Sequence, residues 1–192
     1  MTDLPVFDTR PRLQFETEIL LRAQDIRVLL LDVDGVLTPG DLLVGESGET
    51  HKRFSTLDGH GLKLLRACGV APVVVSGRDS SALRTRLREL GLLERAVLGR
   101  EHKLPGAASL LHDLGLSWEH AAVMGDDWPD LPLLVRARLA ACPPGAHQEV
   151  RARAHYRTQA QAGFGAVREL CDLLMVAQGQ YRRLLEQAIA GD

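Results

Sequence analysis

Val28-Leu29-Leu30-Leu31-Asp32-Val33-Asp34-Gly35-Val36-Leu37-Thr38 runs from four consecutive aliphatic residues into two carboxylates one residue apart, followed by glycine. Such an apolar run is long enough for a strand buried on both faces, as in a parallel sheet. Ligands of open α/β sheets lie outside the carboxyl ends of the strands. An acidic pair at that edge therefore lies where chemistry is done. Side chains alternate along a strand, so Asp32 and Asp34 project the same way if the strand continues through them. Like charges that close repel unless a cation sits between them or one takes a proton. A hard, oxygen-seeking ion such as Mg2+ meets that need. The plainer alternative is an acidic turn that closes a core strand.

Outward from this run, the chain alternates strand and helix signals. Residues 1–12 read as a loose arm, and 13–25 place apolar residues at helical spacing. Residues 41–54 read as a hairpin about Glu46-Ser47-Gly48-Glu49. Helices are expected near 59–68, 79–90, 104–114 and 129–136, and strands at 71–75, 96–98, 121–124 and 138–141. A long C-terminal helix is expected over 166–189. Right-handed crossovers then give an α/β fold, a three-layer, doubly wound and mostly parallel sheet. One domain over 1–192 is expected, with an arm and helix at 1–25 and the hairpin as a small flap.

Composition removes several classes of function. A net charge of −2 gives no basic footprint for nucleic acid or an anionic membrane. Four Phe, two Tyr and two Trp are too few for a base-stacking platform. Cys68, Cys142 and Cys171 lack any CxxC spacing, so buried thiols in a reducing cytosol are expected rather than disulfides or zinc. The first residues are acidic without an apolar segment, unlike a signal peptide. No apolar run approaches the roughly 18 residues of a membrane span. A cytoplasmic location is expected.

Three further signals lie at strand ends. Val73-Val74-Val75-Ser76-Gly77-Arg78 closes a β-branched strand on a hydroxyl, a glycine and a cation. Ser76 can donate to a phosphate oxygen, and Gly77 lets a backbone N–H approach closely. Ser76 as an ordinary helix cap is the plainer alternative. Lys103 opens a helix and can neutralise a phosphate or pair with Asp32, although most such lysines are solvated. Val123-Met124-Gly125-Asp126-Asp127-Trp128-Pro129-Asp130 again breaks a strand at glycine into carboxylates, with a helix-capping pair as the less favoured alternative. Carboxylate pair, hydroxyl-glycine, lysine and carboxylate pair in this order are far more specific together than singly.

This order resembles the haloacid dehalogenase-type phosphohydrolases, in their capless branch that includes 3-deoxy-D-manno-octulosonate 8-phosphate phosphatase. The likeness covers about 28–179 and rests on DVDGVL (32–37), FSTLDGHG (54–61), Ser76-Gly77-Arg78, Gly125-Asp126-Asp127 and GAVRELCDLLMVAQG (165–179). The resemblance implies a Rossmann-like core whose 41–54 hairpin replaces a cap, and a homotetramer in which hairpins meet and neighbours close each site. Two positions depart: Leu57 and Phe164 stand where the family has arginines.

The resemblance further implies a Mg2+-dependent phosphatase acting on a small sugar acid phosphate, foremost 3-deoxy-D-manno-octulosonate 8-phosphate. The runner-up is a nine-carbon keto-deoxy sugar acid phosphate or another small phosphometabolite. Asp32 is the expected nucleophile and Asp34 the acid and base, with Asp32, Asp34 (through its carbonyl) and Asp126 on the metal. Ser76, Gly77 and Lys103 are expected on the phosphate. Asp127 is expected behind them, orienting Lys103 or a water. The sugar is expected to meet Ser55, Thr56, Leu57, Asp58, Gly59, Lys63, Arg78 and Arg86, the arginines suiting a carboxylate. A phosphoacceptor receiver module also uses strand-end aspartates and a lysine, but carries its acceptor on a middle strand. A non-catalytic scaffold is the other rival.

Overall fold

The computed structural model of the protein describes residues 8–46 and 48–191. Residues 1–7 of the expected arm and Ser47 of the expected hairpin turn lie outside the described residues. The aliphatic run forms β1 (Val28–Leu31), buried at every position. After it come the hairpin strands β2 (Leu43–Gly45) and β3 (Gly48–His51), then α2 (Thr56–Ala67), α1 (Thr17–Ala23) having preceded β1. The chain continues through β4 (Ala71–Val75), α3 (Ser81–Leu90), β5 (Ala96–Val97), α4 (Lys103–Asp113), β6 (Ala121–Met124), α5 (Leu131–Leu134) and β7 (Leu139–Cys142). It ends with α6 (Gln148–Arg151), β8 (Tyr156–Arg157), α7 (Ala166–Ala177) and α8 (Tyr181–Ala190).

Six strands form one sheet in the order β5-β4-β1-β6-β7-β8, every neighbouring pair parallel. Alternation along β1 divides the core between the two faces. Leu29 and Leu31 pack with Leu62 of α2, Leu83 of α3 and Leu170 of α7, whereas Val28 and Leu30 pack with Leu111 of α4 and Leu133 of α5. The chain winds from β1 outward to β4 and β5, then crosses back to place β6 on the other side of β1. That reversal opens a crevice at the carboxyl ends of β1 and β6, where open α/β sheets bind ligands. Among the described residues, the hairpin, α2 and β4 are the elements between Leu37 and Ser76, so no cap is inserted there.

Several expected elements differ in extent. The helix over 166–189 is two helices, because Gly179 adopts φ +68° and its N–H bonds to the Val176 carbonyl. Glycine tolerates that backbone where other residues do not. The helix expected at 129–136 is a 3-10 turn at Trp128–Asp130 followed by the one-turn α5. α6 and β8 were not expected from the sequence; both are too short to show a periodicity.

Candidate active site

Asp32 continues the β1–β6 ladder by one bond, its N–H donating to the Met124 carbonyl at 3.1 Å. The chain then turns sharply: the N–H groups of Val36 and Thr38 both donate to the Val33 carbonyl, and Gly35 takes φ +88°. A Cβ at Gly35 would lie 2.0 Å from Asp126 Oδ2. Glycine is thus required both by the backbone and by the carboxylate that approaches it from β6. Gly125 makes room in the same way on the other strand, where a Cβ would lie 2.3 Å from the Cβ of Asp130.

Lys103, the first residue of α4, is buried, and its Nζ donates to Asp32 Oδ1 at 2.6 Å and to Asp130 Oδ1 at 2.7 Å. Asp130 Oδ2 accepts from the N–H groups of Asp126 and Asp127 at 3.0 and 3.4 Å. Of the two roles expected for Asp127, orienting Lys103 or a water, the first is corrected: Asp130 holds Lys103, because its side chain is buried inside the turn while Asp127 lies exposed on its rim. The Asp-Asp-x-x-Asp spacing was the available signal for Asp130. Ser76 is buried at the end of β4, its N–H donating to the Val97 carbonyl and its Oγ accepting from the Arg78 N–H at 3.1 Å. The helix cap is Ser80, whose Oγ accepts from the Leu83 N–H, so Ser76 is not the cap of α3.

Electrostatics follow from this crowding. Burial, reinforced by the nearby Asp130 charge, pushes the Asp32 carboxyl up to about 6, with Lys103 opposing. Burial pushes Asp126 further, to about 8, and the Asp32 and Asp130 charges add to the rise. The ammonium of Lys103 is held above its ordinary value: desolvation opposes the charge, but the two carboxylates outweigh it.

One cavity of 780 Å³ gathers Asp32, Asp34, Ser76, Gly77, Arg78, Lys103, Asp126 and Asp127, together with Asp130 and with Gly40 and Leu42 before the hairpin. Asp32, Asp126 and Asp130 each offer an oxygen within 4.8 Å of the others, a spacing that can hold a metal ion. Asp126 Oδ1 is buried without a hydrogen-bond partner among the described residues. An unpaired, buried carboxylate oxygen facing two others is the donor chemistry of a hard divalent cation.

The expected sugar contacts are placed differently. Arg78 lines the cavity, its side chain 55% exposed. Ser55 caps α2, its Oγ accepting from the Asp58 N–H. Asp58 is buried and accepts from the N–H groups of Gly165 and Arg168, so it anchors the start of α7. Gly59 leaves room for the Arg86 guanidinium, which reaches the Ser55 carbonyl at 3.4 Å and pairs with Glu89. Thr56 is exposed, and Lys63 lines a separate surface hollow with Arg66 and Arg88. Leu57 and Phe164 are both exposed, and the Arg53 guanidinium lies 3.9 Å above the Phe164 ring. Within one chain, then, Ser55–Gly59, Lys63 and Arg86 lie outside the cavity that holds Asp32.

No family model matches the chain. A 3-deoxy-D-manno-octulosonate 8-phosphate phosphatase of Salmonella typhi is 35% identical over 173 residues, spanning 90% of this chain and 92% of that protein. The enzyme of the same name from Moraxella catarrhalis, solved with magnesium, phosphate and 3-deoxy-D-manno-octulosonate, superposes with a TM-score of 0.86 at 33% identity, covering 91% of this chain and 99% of that one. The cobalt-bound phosphatase of Haemophilus influenzae superposes with a TM-score of 0.81 at 34% identity over 83% of this chain and 93% of that one.

Proposed function

The chain belongs to the 3-deoxy-D-manno-octulosonate 8-phosphate phosphatase family of haloacid dehalogenase-type enzymes, and from that premise we propose that it hydrolyses this sugar acid phosphate with Mg2+. The observation that carries the reading is the buried Asp32–Lys103–Asp130 array facing the unpartnered oxygen of Asp126 across the β1–β6 crevice.

We assign the metal to the carboxylates of Asp32 and Asp126 and the carbonyl of Asp34, with Asp130 close by. Mg2+ bound there supplies the positive charge that lets a carboxylate approach a phosphate dianion. Asp32 attacks phosphorus, its carboxylate forming the new P–O bond as the sugar oxygen departs, and carries the phosphoryl group as an aspartyl-phosphate. Asp34 gives its proton to the departing alkoxide, then takes one from the water that hydrolyses the acyl phosphate. Lys103, Ser76 Oγ and the Gly77 N–H bind the non-bridging oxygens, where charge spreads in the transition state. Asp130 holds Lys103 in place from behind. Arg78, at the cavity wall, is the cation best placed for a sugar carboxylate.

The exposed Leu57 and Phe164 support a second reading, a nine-carbon keto-deoxy sugar acid phosphate, because they withdraw two cations from that side. Ser55–Gly59, Lys63 and Arg86 meet substrate, in our reading, only within a homotetramer; the exposed Leu43 and Val44 of the hairpin support such an assembly. Cys68, Cys142 and Cys171 are free thiols, which suits a cytoplasmic enzyme. Among the described residues no helix is long and apolar enough to cross a membrane. The test is phosphate release from a panel of phosphorylated sugars, with and without Mg2+. We expect Mg2+-dependent turnover with the eight-carbon sugar acid phosphate preferred; preference for a neutral sugar phosphate would overturn the substrate.

A further inference from the structure

Lys52 follows β3 at the base of the hairpin, and its side chain is 1% exposed. Lysine is almost never so buried without partners. Its Nζ donates to Asp34 Oδ1 and lies 3.2 Å from Glu49 Oε2, three residues back along β3. The other oxygen of Asp34 is 3.9 Å from Arg78 Nε. The carboxyl that delivers the proton is thus gripped on one side by a flap residue and approached on the other by the cavity wall. We infer that Lys52 is a positioning residue: reaching from the hairpin, it aims the Asp34 carboxyl at the leaving oxygen and ties the flap to the reacting centre.

Two observations and a physical argument support this. The Lys52–Asp34 pair joins elements 18 residues apart in sequence, the flap and the turn after β1. Among the described residues no second lysine pairs with Asp34, and Lys103 is committed to Asp32 and Asp130. Removing one member of a buried pair leaves the other without its partner, so the orientation of Asp34 depends on Lys52. The inference deepens the proposed reaction and rests on Asp34 acting there as the acid.

Proton delivery matters only where the leaving group is a poor one. A sugar or simple alkyl alkoxide needs the proton; a 4-nitrophenolate leaves without it. In Lys52→Met we expect the first-turnover rate of alcohol release from an alkyl phosphate to fall by about a hundredfold, the scale of general acid catalysis. For 4-nitrophenyl phosphate we expect the first-turnover burst of 4-nitrophenolate, which precedes the water step in which Asp34 acts as base, to fall by less than about threefold. Lys52→Arg restores part of the alkyl ester rate, because it keeps a donor at the same carboxylate. Equal losses on both esters, or no loss on either, would overturn the assignment, as would a change in KM alone. Should Lys52→Met fail to fold, the same ratio is read in Lys52→Arg and Glu49→Gln, and a ratio equal to that of the parent in both overturns the inference. The parent protein's own turnover of the sugar acid phosphate reports separately on the proposed substrate, since the leaving-group ratio can be measured on any alkyl phosphate it hydrolyses.

Discussion

The phosphoryl side of the cavity and its sugar side are built by different means. On the phosphoryl side, Asp32, Ser76 and Asp126 each follow a buried parallel strand within one or two residues, and Lys103 begins a helix. Strand register sets their backbones, and buried ion pairs hold Lys103 against Asp32 and Asp130. On the side proposed for the sugar, Arg78 at the cavity wall is half exposed, while Leu57 and Phe164 face solvent and Lys63 lies in another hollow, all three outside the cavity within one chain. The chemistry common to all phosphate esters is thus fixed by the sheet. In the proposed reaction, the part that distinguishes one ester from another falls to side chains that the sheet does not hold.

That contrast is most sharply broken by Asp32→Asn. Removing the proposed nucleophile should lower kcat roughly a thousandfold or more on sugar acid and aryl phosphates alike, as nucleophile loss does elsewhere. Retained turnover of 4-nitrophenyl phosphate in a phosphate-release assay would show that Asp32 does not attack phosphorus.

A smaller effect should appear in the pH dependence of stability. Asp32 and Asp126 hold their protons to about pH 6 and 8 in the fold, against 3.8 for an ordinary aspartate. Across that window the metal-free fold binds more protons than the unfolded chain, so the contribution is full below about pH 4 and is lost as pH rises towards 8. A divalent cation replaces those protons. Added Mg2+ should therefore raise Tm more at pH 8 than at pH 5; an equal rise in thermal denaturation scans would remove this carboxylate pair from the metal site.

The mildest effects belong to the sugar side. Arg78→Ala should raise KM for a sugar acid phosphate several-fold more than for 4-nitrophenyl phosphate, because only the former carries a carboxylate. Lys63→Ala should leave stability within about 0.5 kcal/mol, as for most exposed substitutions, and should change KM only if a neighbouring subunit brings Lys63 to the site. Kinetics together with light scattering would decide that, and equal KM changes on both esters in Arg78→Ala would remove its role in reading the sugar.

The legible part of the molecule follows the same division. β1, β4 and β6 were visible as apolar runs ending in polar residues, because burial on both faces leaves an unbroken signature in the chain. The hairpin and the doubly wound architecture were visible for similar reasons. Asp130 was in view within its motif, yet its partnership with Lys103 spans 27 residues and depends on how α4 and the β6 turn meet. Lys52 carried no signal at all: a lone lysine after a hairpin looks like solvated surface until the fold buries it beside Asp34. Asp58 looked like a substrate-loop residue; that its carboxylate also accepts from two backbone N–H groups at the start of α7 was not legible, because Gly165 and Arg168 lie more than a hundred residues away. The C-terminal helix looked continuous because apolar spacing persists on both sides of Gly179, and spacing does not report the φ at which a glycine interrupts it.

By itself the sequence determined an α/β sheet with acidic, hydroxyl and lysine groups at successive strand ends, since those features depend on local periodicity and on the residues that end each run. Tertiary structure alone decided that β6 lies beside β1, that Asp130 rather than Asp127 holds Lys103, and that Lys52 reaches Asp34. Each is a contact between segments distant in the chain, and such contacts are chosen by packing and charge pairing in the assembled fold.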